Sequence, residues 1–160
     1  MAAPPRAPGS RLAGAVVAGA DGFVPVHAVI VTYTELPGDD DVVPRPLVDV
    51  VVGDADDVVV PCLVDSGSVH TLLPTWVADL AAIDLAGAEH RALGLGGSTT
   101  DAAMVTVALN VGEHRWEAEV GFCDPWPRSW GLLGQRSFFR HFEVTFRAAD
   151  FQLELLANER

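Results

Sequence analysis

The sequence predicts a single mostly-β domain, and three observations support this fold class. Short runs rich in β-branched and aromatic residues recur along the chain, separated by Gly, Pro, Asp and Ser. Segments with helical spacing are few and short, and the sequence has no internal duplication. With 160 residues, 49% of them hydrophobic, the chain is long enough to bury a core of its own. These features favour a compact sheet structure.

The predicted strands follow one another along most of the chain. Pro25 lies near the start of the first strand, where a missing N–H does least harm. Residues 115–122 alternate polar and apolar side chains, as a half-buried strand does. The strands are predicted at residues 23–33, 46–53, 58–64, 69–73, 88–93, 103–111, 115–122, 142–146 and 151–155.

Two helical segments are predicted between these strands. Residues 74–82 begin with a proline, which favours the first turn of a helix. Trp76, Val77 and Leu80 are expected to form the core-facing stripe of this helix. A single helical turn is expected over residues 135–140.

A glycine-rich stretch at residues 94–101 lies between two of the predicted strands. Strand-like arms around a tip of Gly, Ser and Thr predict an exposed, mobile hairpin. An ordinary β-turn is one alternative. A phosphate-binding loop is another, although no amphipathic helix begins after Gly97, as such a loop requires.

The charge of the chain argues against several classes of partner. Ten Lys and Arg stand against 22 Asp and Glu, which gives a net charge of −12. This is the wrong sign for a surface that binds phosphate groups. No apolar run approaches the roughly 20 residues that a membrane-spanning helix needs. The sequence therefore predicts no nucleic-acid partner and no membrane partner.

The cysteines and histidines indicate neither a disulfide framework nor a metal site. Cys62 and Cys123 lie inside apolar strand-like runs, which favours small buried side chains over a disulfide or redox role. The five histidines lack the spacing typical of metal ligands. We predict no metal and no cofactor.

The N-terminal segment differs in composition from the rest. Residues 1–22 are rich in Ala and Pro and are predicted to be disordered, with the folded domain at residues 23–157. Residues 12–20 are apolar and follow two arginines, which imitates a weak secretory signal and leaves export through residues 1–20 open. Because Gly and Ala make this run poorly hydrophobic, a cytoplasmic location is predicted.

The most informative stretch is the apolar run at residues 58–64, which leads directly into Asp65, Ser66, Gly67 and Ser68. The run has the length and residue types of a strand covered on both faces, and Ser-Gly-Ser is turn chemistry. A carboxylate at the end of a buried strand needs compensation, because burying an unpaired charge is costly. Asp65 is either the cap of its own turn or a group with a chemical role.

Three features follow in a fixed order: an apolar strand ending in Asp65-Ser66-Gly67, a glycine-rich hairpin, and a late pair of leucines before Gly134. This order resembles the retropepsin-like aspartic proteases, of the cellular and bacterial type, over roughly residues 23–155. The resemblance implies a small closed β-barrel with a flap hairpin and one or two short helices. It also implies an aspartic endopeptidase that acts on extended apolar polypeptide segments.

Peptide hydrolysis by carboxylates alone requires two acids, one ionised and one protonated. This chain contains one Asp-Ser-Gly motif. Pepsin-like enzymes carry two copies of the motif in one longer chain, whereas retropepsins obtain the second copy from a symmetry mate. The resemblance therefore implies a homodimer, with Asp65 of each copy and a shared water at its axis.

The resemblance also implies supporting roles around this acid. The Ser66 hydroxyl is expected to donate across the pair of loops, Gly67 to let the backbone approach the acid, and Ser68 to donate to the carboxylate. The expected flap and substrate-binding residues are Leu95, Gly96, Gly97, Ser98, Trp130 and Leu132. Core packing is the alternative role for Trp130 and Leu132, the two expected pocket residues.

The sequence departs from the retroviral pattern at two places. Val69 and His70 replace acidic residues that commonly follow the motif, and Gln135 stands where Arg often follows the late glycine. The salt bridges of viral enzymes are therefore not carried over. The alternative function is a retropepsin-fold domain with little catalysis that serves peptide binding or dimerisation.

Overall fold

A computed structural model of the chain describes residues 13–16, 27–36, 43–54 and 57–158. Strands dominate the described residues, and one helix and one 3₁₀ turn accompany them. In chain order the elements are β1 (Ala13–Val16), β2 (His27–Thr32), β3 (Leu47–Val52), β4 (Val59–Val64), β5 (Thr71–Pro74), α1 (Thr75–Leu80), β6 (Glu89–Leu95), β7 (Ser98–Val111), β8 (His114–Asp124), β9 (Gly131–Leu133), β10 (Phe142–Arg147), the 3₁₀ turn (Ala148–Asp150) and β11 (Gln152–Ala157).

Six strands close into a barrel. The larger sheet runs β3-β4-β9-β5-β8-β7-β6, and β3 also pairs with β7, so the first six of these strands form a ring. The ring closes through antiparallel pairing of Val51 with Asn110 and of Val52 with Leu109. The prediction of a mostly-β fold with a small closed barrel is confirmed. The predicted hairpin of β3 and β4 is also confirmed.

The barrel interior is filled by the inward-facing side of each strand. In β4, Val60, Cys62 and Val64 are buried, while the intervening residues are more exposed, as expected because successive side chains point to opposite faces. Leu109 and Leu133 complete the same core and are fully buried. Each such valine or leucine side chain contributes roughly 1.5–3 kcal/mol on burial. This packing fixes the strand ends that carry the candidate site.

A second sheet, ordered β1-β2-β11-β10, packs on the barrel through Leu153 and Leu155 of β11. Strand β1, Ala13–Val16, pairs antiparallel with β2 and lies within the segment predicted to be disordered. Pairing with β2 gives these four residues backbone hydrogen-bond partners on one edge. The other residues of 1–22 lie outside the described residues, so the boundary between segment and domain stays a prediction.

The predicted stripe of helix α1 is only partly correct. Val77 and Ala78 are buried, whereas Trp76 is 42% exposed and Leu80 is 66% exposed. A helix of six residues has fewer than two turns, so it rests on the barrel through a narrow contact instead of a full stripe. Pro74 occupies its N-cap position in an extended conformation.

The helical turn predicted at residues 135–140 is a run of turns instead of a helix. Two backbone hydrogen bonds have helical spacing, from Phe138 N to the Gly134 carbonyl (3.0 Å) and from Phe142 N to the Phe138 carbonyl (3.2 Å). The segment therefore bends sharply between β9 and β10 without building a regular helix.

The two cysteines are buried and free, as predicted. Burial raises the pKa of the Cys123 thiol to about 11 and also raises that of Cys62, so both thiols stay protonated at neutral pH. Within the described ranges, no helix is long and apolar enough to span a membrane. The same residues contain no group of three or more His, Cys, Asp or Glu side chains placed to bind a metal ion.

Candidate active site

Strand β4 delivers Asp65 to a fixed position at the rim of the barrel. β4 pairs in parallel with β9, and this register continues past the strand end, where Asp65 N donates to the Leu133 carbonyl at 3.1 Å. Ser68 N then donates to the Asp65 carbonyl at 3.1 Å and closes the turn. The backbone on both sides of the acid is thus held by hydrogen bonds.

The Asp65 carboxylate is half-buried and accepts one hydrogen bond. Its Oδ1 atom accepts from Gly67 N at 2.9 Å, while no described residue donates to Oδ2. A Cβ at position 67 would lie 3.2 Å from Oδ1, so glycine gives the backbone the room it needs. Both interpretations of Asp65 therefore fit the geometry: one oxygen caps the turn, and the other is available for chemistry.

Gln135 donates two hydrogen bonds to the backbone of the Asp65 turn. Its side-chain Nε2 donates to the Ser66 carbonyl at 2.7 Å, and its backbone N donates to the Ser68 carbonyl at 2.9 Å. One residue thus fixes two carbonyls of the loop. Sequence analysis identified Gln135 only as a departure from the retroviral pattern, because an isolated glutamine after a glycine has no recognisable signature.

Ser68 does not have the predicted partner. Its hydroxyl donates to the His70 carbonyl at 2.7 Å, two residues along the chain, and not to the Asp65 carboxylate. A short hydroxyl side chain in a turn readily bonds a nearby backbone group, and this local bond prevails here. The expected support of the carboxylate by Ser68 is therefore wrong within the single chain.

Replacing Ser68 with Ala is expected to lower the free energy of unfolding by about 1 kcal/mol, the usual contribution of one hydrogen bond. The pH profile of activity is expected to stay the same, because the hydroxyl does not touch the acid. Thermal unfolding together with a pH–rate profile of the variant checks both expectations. A profile displaced toward neutral pH would show that Ser68 contacts the carboxylate in the working assembly.

A buried network of polar groups joins β5 to residues 134–137, next to the Asp65 turn. Gly134 N donates to the Thr71 hydroxyl at 3.1 Å, and Thr71 N donates to the Ser137 hydroxyl at 3.2 Å. The Trp116 indole N–H donates to the Ser137 carbonyl at 2.8 Å. Because Thr71 and Ser137 are almost fully buried, these bonds offset the cost of burying polar groups. The network connects β5 to the segment after β9, and no sequence pattern predicted it.

The predicted flap is a tighter hairpin than expected. Its arms β6 and β7 pair up to Leu95 and Ser98, so the turn consists of Gly96 and Gly97 alone instead of residues 94–101. The φ angles of these glycines are +54° and +88°, which suits the two-residue turns that need φ > 0 at both positions. Strand β7 follows directly, which excludes the phosphate-loop interpretation.

An apolar cluster joins the flap to the Asp65 side of the barrel, and we call it the flap cluster. Leu63, Leu72 and Leu132 are paired in register at its centre. Asp65 follows Leu63 by two residues, so its side chain points to the same face of β4 as this cluster. The buried members are Leu36, Leu47, Leu72, Ala102, Met104, Cys123, Trp130 and Leu132, and the partly buried members are Leu63, Leu93, Leu95 and Trp126.

The predicted pocket residues lie in this cluster but beneath its surface. Trp130 and Leu132 are each only 6% exposed, so packing occupies most of both side chains. Leu63, Leu95 and Trp126 are partly exposed at its surface and are the better candidates for contact with a ligand. Leu63 and Trp126 were missed because nothing in their local sequence distinguishes them from core residues.

A family model described as aspartyl protease matches residues 48–136, which is more than half of the chain. The chain belongs to this aspartyl protease family. The matched region runs from β3 to the turn after β9, so it contains the Asp65 loop, the flap and Gln135. None of the curated proteins matches the chain in sequence.

Two solved structures have the same fold as this aspartyl protease family member. The retropepsin-like aspartic protease from Rickettsia conorii matches with a TM-score of 0.56 at 16% identity, over 82% of this chain and 91% of that one. The retroviral protease-like domain of Ddi1 from Leishmania major matches with a TM-score of 0.52 at 11% identity, over 72% of this chain and 94% of that one. The resemblance to the retropepsin-like fold is confirmed.

Proposed function

We propose that this protein is an aspartic endopeptidase that hydrolyses peptide bonds in extended apolar polypeptide segments. The active site is formed at the axis of a homodimer by Asp65 of each copy and a water that both acids hold. One observation carries the proposal: a half-buried carboxylate, whose Oδ2 atom accepts from no described residue, stands at the end of β4. It lies on the side of β4 where Leu63 packs against an apolar cluster that also holds Leu93 and Leu95 of the hairpin.

The chemistry requires a second acid close to Asp65. Two carboxylates at short range cannot both ionise, so they share one proton, and the ionised acid takes a proton from water while the protonated one polarises the peptide carbonyl. The chain carries one Asp-Ser-Gly motif, and a second copy of the chain supplies the other acid. Ser66 supports this arrangement because it is exposed and its hydroxyl bonds no described residue, which leaves it free to donate to the partner loop.

The flap cluster supports an apolar polypeptide as the substrate. Leu63, Leu95 and Trp126 offer a partly exposed apolar surface on the same side as the acid. A two-glycine tip allows the hairpin to close over an extended chain and to exclude water from the reaction. The net charge of −12 disfavours a nucleic-acid substrate.

The proposal is tested by incubating the purified protein with an unfolded, casein-like protein and with a peptide library. We expect cleavage within apolar segments, together with a sedimenting mass of about twice the 16.9 kDa of the chain under the same conditions. Binding of peptides without cleavage would favour the alternative of a peptide-binding or dimerisation domain. Full activity from a demonstrated monomer would contradict the shared site.

Replacing Gly97 with Val is expected to lower turnover roughly ten- to hundredfold, because a β-branched residue resists the φ of +88° that the flap tip needs, and misplaced covering groups are costly to catalysis. The matched control is Gly87→Val, since Gly87 has a φ of +78° and equally open space but lies at the other end of β6. Both variants should lose similar stability in thermal unfolding, and only Gly97→Val should lose activity. Equal activity in the two variants would make the tip a plain structural turn.

A further inference from the structure

The loop between β8 and β9, residues 125–130, forms one edge of the flap cluster, and we call it the tryptophan loop. Trp126 and Trp130 both belong to the cluster, and the Trp126 indole N–H donates to the Trp130 carbonyl at 2.9 Å. The Thr100 hydroxyl of the flap arm β7 donates to the Pro125 carbonyl at 2.8 Å. The loop is therefore held to both the flap and the apolar surface beside it.

Arg128 stands on this loop as an exposed cation. Its guanidinium carbon lies 4.7 Å from the centre of the Trp130 ring, in a cation–π contact. Arg91, Arg115 and Arg147 each pair with a carboxylate, whereas Arg128, Arg136 and Arg140 form no ion pair with any residue in the described ranges. Arg128 differs from the other two because it stacks on Trp130, a member of the flap cluster. Stacking on the indole restrains the guanidinium and leaves its N–H edge open to a ligand.

We infer that Arg128 is a specificity-determining residue that selects polypeptide substrates with an acidic side chain beside their apolar segment. The inference rests on the proposed function, because it concerns the substrate of that same site. The apolar part of the substrate packs on Leu63, Leu95 and Trp126, and the acidic side chain accepts hydrogen bonds from the guanidinium. A planar guanidinium fits a carboxylate with two parallel N–H donors.

The residues around Arg128 include acidic side chains, which would repel an acidic substrate. Asp101 and Asp124 are paired in register at the adjoining ends of β7 and β8. Asp101 contacts His90 at 2.6 Å, while Asp124 is exposed and lies four residues before Arg128. With a net charge of −12 the chain as a whole repels acidic substrates, so a preference for an acidic side chain requires close contact with a cation. Arg128 is the cation that stacks on the flap cluster.

The test uses matched sets of apolar peptides that carry Glu, Gln or Lys at one position at a time on either side of the cleaved bond. For each set, kcat/KM is measured with the full wild-type chain and with the variants Arg128→Gln and Arg128→Glu. Arg140→Gln is the control, because Arg140 is also exposed, the substitution changes the net charge equally, and the residue is outside the flap cluster. The series is repeated at higher salt.

At one position, we expect the wild-type protein to prefer Glu over Gln by roughly threefold to fivefold, the size that an exposed ion pair supports. Arg128→Gln should remove this preference, Arg128→Glu should reverse it in favour of Lys, Arg140→Gln should retain it, and added salt should weaken it. If the peptides are cleaved but Arg128→Gln has the same ratio of kcat/KM for Glu over Gln peptides as the wild type, the inference is overturned. The proposed function would stay in place. A wild-type protein that cleaves none of the peptides would overturn both.

Discussion

Replacing Asp65 with Asn is expected to reduce peptide hydrolysis by on the order of a thousandfold or more, because the amide keeps the shape of the side chain but cannot take a proton from water. The fold is expected to survive. The amide oxygen can still accept the hydrogen bond from Gly67 N, and the backbone bond from Asp65 N to Leu133 is unchanged. The measurement is turnover of one cleaved peptide by the variant and the wild type at equal concentration.

The control for this variant is its thermal unfolding, which should lie within about 1 kcal/mol of the wild type because one neutral hydrogen bond replaces one charged bond. Turnover at the wild-type rate would leave Asp65 as a turn cap and would remove the aspartic mechanism. A complete loss of folding would mean that the carboxylate has a structural role greater than its single hydrogen bond indicates.

Replacing Gly134 with Ala is expected to cause the largest loss of stability among single-methyl additions near the site. A Cβ at this position would lie 2.3 Å from the His70 carbonyl oxygen and 2.5 Å from the carbonyl carbon, so the backbone of the segment before β5 would have to move. Such overpacking against backbone costs about 3 kcal/mol. At 160 residues, this cost corresponds to a fall in Tm of about 6–12 °C, which calorimetry measures directly.

The matched control is Gly94→Ala in the flap arm β6. Its added Cβ meets no atom within 4 Å, and its φ is not in the left-handed region. Its Tm should therefore stay close to that of the wild type. If Gly134→Ala were as stable as this control, the close crossing of the Gly134 and His70 backbones would be absent from the folded protein.

The sequence was informative wherever local composition determines structure. Runs of Val, Leu and Ile predicted nearly every strand, because the clustering and alternation of apolar side chains is a local pattern. The position of Asp65 at the end of β4 also followed from such a run. Closure of the barrel through Val51 and Val52 depends on pairing with distant β7, so only the resemblance to a known family predicted it.

The wrong or missing predictions concern side chains whose contacts depend on the folded structure. The Ser68 hydroxyl has both the carboxylate and a carbonyl within its reach along the chain, and only the folded loop decides between them. The surface of α1 depends on how short the helix is, so the burial of Trp76 and Leu80 was overestimated. Gln135 and Trp126 contact residues that are far away in sequence, and no local pattern reveals such contacts.

The central claim is that two copies of the chain share one active site through Asp65. It is tested most directly by adding the Asp65→Asn variant to a fixed concentration of wild-type protein and letting the subunits exchange. If every site needs two carboxylates, only dimers of two wild-type chains are active. With random pairing, about half of the wild-type chains have a wild-type partner when an equal amount of variant is added, and about a tenth do at a ninefold excess. Activity should therefore fall to about half and about a tenth of its starting value. Activity that stays constant as the variant is added would contradict the shared site.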